Sequence, residues 1–193
     1  MANLISERLE VDDDFEAVQE LYLERGWTDG LPVVPPTAER VEAMLAATPL
    51  ASQDIIGEIP PNWGSATVEK LAVNAVMAGC RPEYLPVVIA AVEAMCDEVF
   101  NLYAIQATTH PCAPLLIVNG PICNDLGLHG GSGAYGPGWQ PNATIGRAVR
   151  LVQLNVGGAH PGVGDMSTQG APSKYAYCVA ENEEANPWEP LHI

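Results

Sequence analysis

Apolar positions recur at helical spacing in five stretches of the chain. Over residues 13–25, Phe15, Val18, Leu21 and Tyr22 fall on one side, and Gly26 follows as a C-cap candidate. Thr37 stands where a side chain would cap a helix through about residue 47, with Val41, Met44 and Leu45 facing inward. Ser65 or Thr67 would cap the third stretch, TVEKLAVNAVMAG, which Gly79 ends. Residues 84–95 form the fourth, apolar nearly all round, which predicts burial in the domain or in a subunit interface; Pro86 lies in its first turn, where proline is tolerated. Residues 142–156 form the last helix, with Asn142 as the predicted N-cap. Strand patterns are shorter: 55–56, an alternating run over 100–108, a continuous apolar run over 115–119, and 175–180.

Between these elements the chain is rich in glycine and proline. GWTDGLPVVPPT, within residues 26–37, predicts an extended arm, with Trp27 and Asp29 either reaching a site or clamping the fold. A glycine-rich loop, LGLHGGSGAYGPGWQPN, runs into the last helix, and a second loop, GGAHPGVGDMSTQGAPSK, follows it. Residues 181–193 read as an extended tail. The order of elements predicts an α/β or α+β architecture: a single domain over residues 1–193, a small mixed sheet, several packed helices and long Gly/Pro-rich loops.

Composition narrows the function classes. Twenty-four acidic residues against eight basic ones give a net charge of −16, which argues against nucleic acid and anionic membranes as partners. No apolar run reaches the length of a membrane span, and the acidic N-terminus lacks the order of a signal peptide, so a cytoplasmic protein is expected. Five cysteines without a CxxC pair fit reduced thiols better than a disulfide framework or a structural zinc site.

With so few basic residues, each one in the middle of the chain needs a reason. Arg147 and Arg150 lie three apart on an apolar helix, so each guanidinium requires a partner: a ligand carboxylate or phosphate, or an internal Asp or Glu. The loop before that helix places Gly130, Gly131, Ser132 and Gly133 near Asn142, where free N–H groups attract anions. Its spacing matches neither a Walker A motif nor a dinucleotide fingerprint. His110 and Cys112 follow a predicted strand end, where a thiol and its base would sit; burial as a small apolar residue is the plainer reading of Cys112. Lys70 and its neighbour Glu69 are catalytic candidates, Lys70 as a general base or carbonyl-binding amine, or else form a surface ion pair. Asp165, Ser167 and Gln169 lie on the second loop, which reads as a lid or a ligand wall. His129 and His160 are loop histidines whose spacing matches no metal-ligand motif, so no metal ligands are assigned.

The strings GWTDGLPVVPPTAERVEAML, ATVEKLAVNAVMAGCRPEYLPVVIAAVEAM, QATTHPCAPLLIVNGPI and GDMSTQGAPSKYAYCVAENEE together cover most of the chain. They resemble an uncharacterised bacterial family associated with UGSC-type proteins, which carry a (seleno)Cys-Gly-Ser-Cys motif and are similar around it to the selenoprotein subunit of glycine reductase. This chain has no Cys-Gly-Ser-Cys of its own. The resemblance therefore implies that thiol or selenol chemistry belongs to a partner and that this chain supplies a substrate pocket; it carries over no catalytic residues. The expected function is an enzyme, or the substrate-binding subunit of a two-component enzyme, acting on a small anionic molecule by thiol-dependent cleavage of a carbon–heteroatom bond. The alternatives are a non-catalytic oligomeric assembly protein and a metal-dependent lyase or hydrolase using the loop histidines. A homo-oligomer is expected, and no cofactor is assigned.

Overall fold

The structure, a computed structural model, describes residues 4–191 and 193. Its order is α1 (Phe15–Glu24), α2 (Ala38–Leu45), β1 (Ile55–Ile59), β2 (Gly64–Thr67), α3 (Val68–Ala78), α4 (Leu85–Cys96), α5 (Leu102–Ala107), β3 (Leu116–Val118), α6 (Ile122–Leu126), α7 (Gln140–Asn155) and β4 (Cys178–Ala180). This is a mixed α+β fold whose strands divide between two separate two-stranded sheets: an antiparallel β1–β2 hairpin and a parallel β3–β4 pair.

The core forms where α3 lies along α7, with α2 and α4 on its flanks. α3 is locally specified: the Thr67 side chain accepts from the Lys70 N–H, and Gly79 ends the helix at φ 86°, where a β-carbon would be strained. Leu71, Ala72 and Ala75 on α3 meet Ile145, Ala148 and Leu151 on α7, all fully buried. α2 uses Thr37 as its cap, as its sequence predicts. No helix among the described residues is long and apolar enough to cross a membrane.

Two expected elements differ. The run 100–108 is not a strand; after a short turn of 3₁₀ helix it forms α5, because Asn101 adopts φ 53° and its side chain accepts from the Ala104 N–H. Leu102 and Gln106, four apart, are its buried residues. Gln106 donates to Gln153 Oε1 at 3.0 Å, so a polar residue on the inner face hides the helical period. Asn142 is not the N-cap of α7, which begins two residues earlier and has no side-chain cap. The carboxamide instead accepts from the His129 N–H and donates to the His129 carbonyl, both at 2.9 Å, and so staples the glycine-rich loop to the helix.

The arm at 26–37 is irregular and closely held. Arg147 donates to both oxygens of Asp29 at 2.8 Å, and also to the carbonyls of Leu31 and Pro32. Trp27 packs edge-on against Tyr22, and its carbonyl accepts from Asn155. Burial pushes the Asp29 carboxyl up, but the Arg147 guanidinium outweighs it and holds the group below the usual carboxylate range. Replacing Arg147 by Ala leaves a buried carboxylate unpaired, which costs on the order of 3 kcal/mol. Limited proteolysis of Arg147→Ala is expected to cut within residues 26–37 faster than in the parent chain, together with a lower midpoint of thermal unfolding. An arm that stays as resistant as before, with loss of anion binding, would assign the guanidinium to a ligand instead.

Candidate functional site

A shallow crevice opens where α7 meets the two chain segments that lead into β3 and β4. Its walls include Cys112, Pro114, Arg150, Ser173, Lys174 and Tyr177, and its enclosed space of about 10 Å³ has room for about one water-sized group. Gly146, in the middle of α7, also lines it. A β-carbon there would lie 2.6 Å from the Tyr177 main-chain nitrogen, so this glycine lets the 176–177 segment cross the helix at close range.

Charge is concentrated beneath the crevice. Arg150 Nη2 lies 3.1 Å from Asp165 Oδ2, and Lys174 Nζ lies 2.9 Å from the same oxygen. Ser167 donates to Asp165 Oδ1 through its hydroxyl at 2.7 Å and through its N–H at 3.2 Å. Arg150 also donates to the Ala159 carbonyl. Burial pushes the Asp165 carboxyl up, yet the hydrogen bonds from Lys174 and Ser167 hold it below its ordinary value. Burial acts on Arg150 in the opposite sense and lowers it, against the pull of Asp165, but a guanidinium remains protonated in proteins. Two cations thus share one buried carboxylate, and the cluster carries one net positive charge.

Cys112 is the one exposed thiol of the five, and all five are free. Burial pushes the Cys80 and Cys178 thiols up to about 12, which keeps them protonated and inert at neutral pH. Cys96 and Cys123 are raised by burial as well.

The fold brings together Cys112, Arg150, Asp165 and Ser167 from the expected set. It adds Lys174, Ser173 and Tyr177, for which the sequence offered one signal: Lys174 is one of only two lysines. The remaining candidates lie elsewhere. His110 is exposed, with its Nδ1 3.2 Å from Thr108 Oγ1. Arg147 is engaged by the arm. Glu69 is buried and accepts from the N–H groups of Ile5 and Ser6 and from Gln53, so it anchors the N-terminal segment. Lys70 donates to the Ser65 carbonyl at 2.8 Å. Gln169 is exposed on its loop.

The glycine-rich loop is tied to α7 and to β4 rather than to the two arginines. Gly130 passes so close to β4 that a β-carbon would lie 2.4 Å from the Ala180 carbonyl oxygen. Gly133 takes φ 79°, Gly131 lies against the His129 ring, and the Ser132 carbonyl lies 2.9 Å from His129 Nε2. The His129 ring stacks on Trp139 with centroids 3.8 Å apart. Asn142 and Arg150 are separated by about 12 Å along the helix axis, at the standard rise per residue. Tyr135 of the loop reaches the crevice wall, packing on Tyr177 with ring centroids 5.7 Å apart. Among the described residues, no three His, Cys, Asp or Glu side chains gather closely enough to hold a metal ion.

No family model, curated protein or solved structure matches the chain.

Two outcomes follow from this geometry. Gly146→Ala should destabilise the fold by roughly 1–3 kcal/mol through overpacking, read as a lower midpoint in denaturant; an unchanged midpoint would mean that the 176–177 segment yields at no cost. Because the Asp165 carboxyl is depressed in the folded state, its contribution is present above the unfolded carboxylate value and is lost as pH falls through its folded value. Asp165→Asn should therefore be less stable at neutral pH and should flatten the acid limb of the stability profile below about pH 4. An acid limb identical to that of the parent chain would remove Asp165 from that role.

Proposed function

We propose that the chain binds a small anionic molecule at this crevice, as an enzyme or as the substrate-binding subunit of one. The observation that carries the reading is that Arg150 and Lys174 share the single carboxylate of Asp165 beside the exposed Cys112 thiol. In a chain of net charge −16, a net positive cluster at a concave surface is the place where an anion gains rather than loses electrostatic energy. The crevice has room for one water-sized group, so an acid group would enter it by a single oxygen and keep the rest of the molecule outside, near Cys112.

Thiol-dependent cleavage of a carbon–heteroatom bond is the chemistry that fits such a pairing. The cations hold the acid group of the substrate, and a thiolate attacks the neighbouring carbon. A C–S bond forms as the carbon–heteroatom bond breaks, and the leaving group takes the electron pair. Cys112 is one source of that thiolate; a (seleno)Cys-Gly-Ser-Cys partner protein is the other, and with it the chain acts as the binding subunit. A non-catalytic assembly role is favoured by a different observation, the apolar groove beside α4.

Alkylation kinetics of Cys112 test the reading. Iodoacetate, relative to iodoacetamide, should react faster than it does with free cysteine, by roughly 3- to 10-fold, the effect of one nearby net charge at short range. Lys174→Gln should abolish that preference, and small carboxylates or phosphate should protect the thiol competitively. A preference for the neutral reagent, as the overall acidity alone would produce, would refute the anion site.

A further inference from the structure

The strand β3 is bonded along one edge only. The Leu116 N–H donates to the Tyr177 carbonyl at 3.0 Å, and the Glu181 N–H donates to the Val118 carbonyl at 2.9 Å. In a parallel ladder one residue directs both of its main-chain groups to the same neighbour, and the next residue directs its own the other way. Leu116 and Val118 face β4, so the N–H and C=O of Ile117 face away from it. The far edge of β4 is already taken, since the Ala180 N–H donates to the His129 carbonyl of the glycine-rich loop. Among the described residues, β3 therefore carries the open edge of this sheet.

Along that edge runs an apolar groove of about 500 Å³ between β3 and α4. Val87, Ala91 and Ala94 form its helix side, and Leu115 and Ile117 its strand side. Ile117 is 41% exposed and Leu115 37%. No lining residue carries a charge, in a chain with 32 charged side chains, 24 acidic and 8 basic. Left to solvent these main-chain groups bond water; a partner that replaces that water must be extended, because a helix has already spent its own donors and acceptors internally. The uncharged walls require an uncharged segment, and β3 itself is one. For two copies that each carry −16, an uncharged face is where approach costs least in repulsion.

We propose that β3 pairs antiparallel with β3 of a second copy across a two-fold axis, joining two two-stranded sheets into one of four strands flanked by the α4 helices. Centred on Ile117, this pairing gives two reciprocal N–H to C=O bonds between the two Ile117 residues, the self-complementary arrangement a two-fold axis demands. Pro114 lines both the groove and the crevice. Pairing therefore fixes the segment that carries Cys112, whether or not the crevice binds an anion.

Light scattering on a sizing column, over micromolar concentrations of the full chain, tests this directly. The parent chain should show twice the chain mass. Ile117→Pro removes only the outward N–H and leaves the bonds of Leu116 and Val118 to β4; Ile117→Lys places a charge in the groove. Each should raise the dimer dissociation constant at least about tenfold, while Val163→Lys, on an exposed loop outside the groove lining, should not. A monomeric parent chain, or a dimer that survives both Ile117 variants, overturns the proposal, as does a monomer that captures a foreign extended peptide at this edge. Should the variants fail to fold, amide exchange on the parent chain decides. Protection of the Ile117 amide that rises with protein concentration supports the pairing, and rapid exchange of that amide in a chain of doubled mass assigns the dimer to another face.

Discussion

A guanidinium on a buried helix has to be met by a carboxylate, and much of this structure follows from the two on α7. Arg147 and Arg150 leave the same helix three residues apart and recruit carboxylates from two segments that have no periodic pattern of their own. Asp29 comes from the arm, 118 residues away from Arg147, and Asp165 from the loop after the helix. These segments are rich in glycine and proline and gain little from apolar burial, so charge does for them what the hydrophobic period does for α3 and α4. The cost of desolvating the ions is repaid only because each carboxylate collects several donors: two nitrogens of Arg147 on Asp29, and Arg150, Lys174 and Ser167 on Asp165. The two anchors differ in consequence. The pair at Asp29 is balanced one to one and closes the arm, whereas the cluster at Asp165 holds two cations to one anion and leaves a positive charge at the surface.

The parts of the fold carried by local signals were legible in the sequence. Thr37, Thr67 and Gly79 are caps whose meaning depends on a few neighbouring residues, and the apolar period of α3 and α7 marks their inner faces directly. The misread elements are those in which a polar residue points inward. Gln106 breaks the apolar period of α5 because its partner is Gln153, 47 residues away, and Asn142 looks like a cap because its partner His129 lies in a loop. The site was legible to the same degree. The need of Arg150 for a partner could be argued from its apolar neighbours, but nothing local distinguishes Asp165 from the other acidic residues. Lys174 joins them only because the 171–177 segment crosses α7 at Gly146, a contact that depends on the whole fold.

The crevice and the groove share one piece of chain. Cys112 and Pro114 border the first, Pro114 and β3 border the second, and only a few residues separate the thiol from the open strand edge. On the crevice side this segment meets fixed elements: α7, and the 171–177 stretch held through Lys174 to Asp165. On the groove side it faces the flank of α4 and Phe100 across an open apolar space. A short strand bonded along one edge is the least restrained part of such a sheet, because the main-chain groups of Ile117 have no strand partner to lose. Closing that edge with a second strand would restrain the thiol without touching it, and the position of Cys112 relative to the cations would become a property of the assembly rather than of one chain. Thiol geometry and self-association would then be coupled through the main chain from Cys112 to Val118, and the same stretch that exposes the Cys112 thiol would determine how steadily it is held.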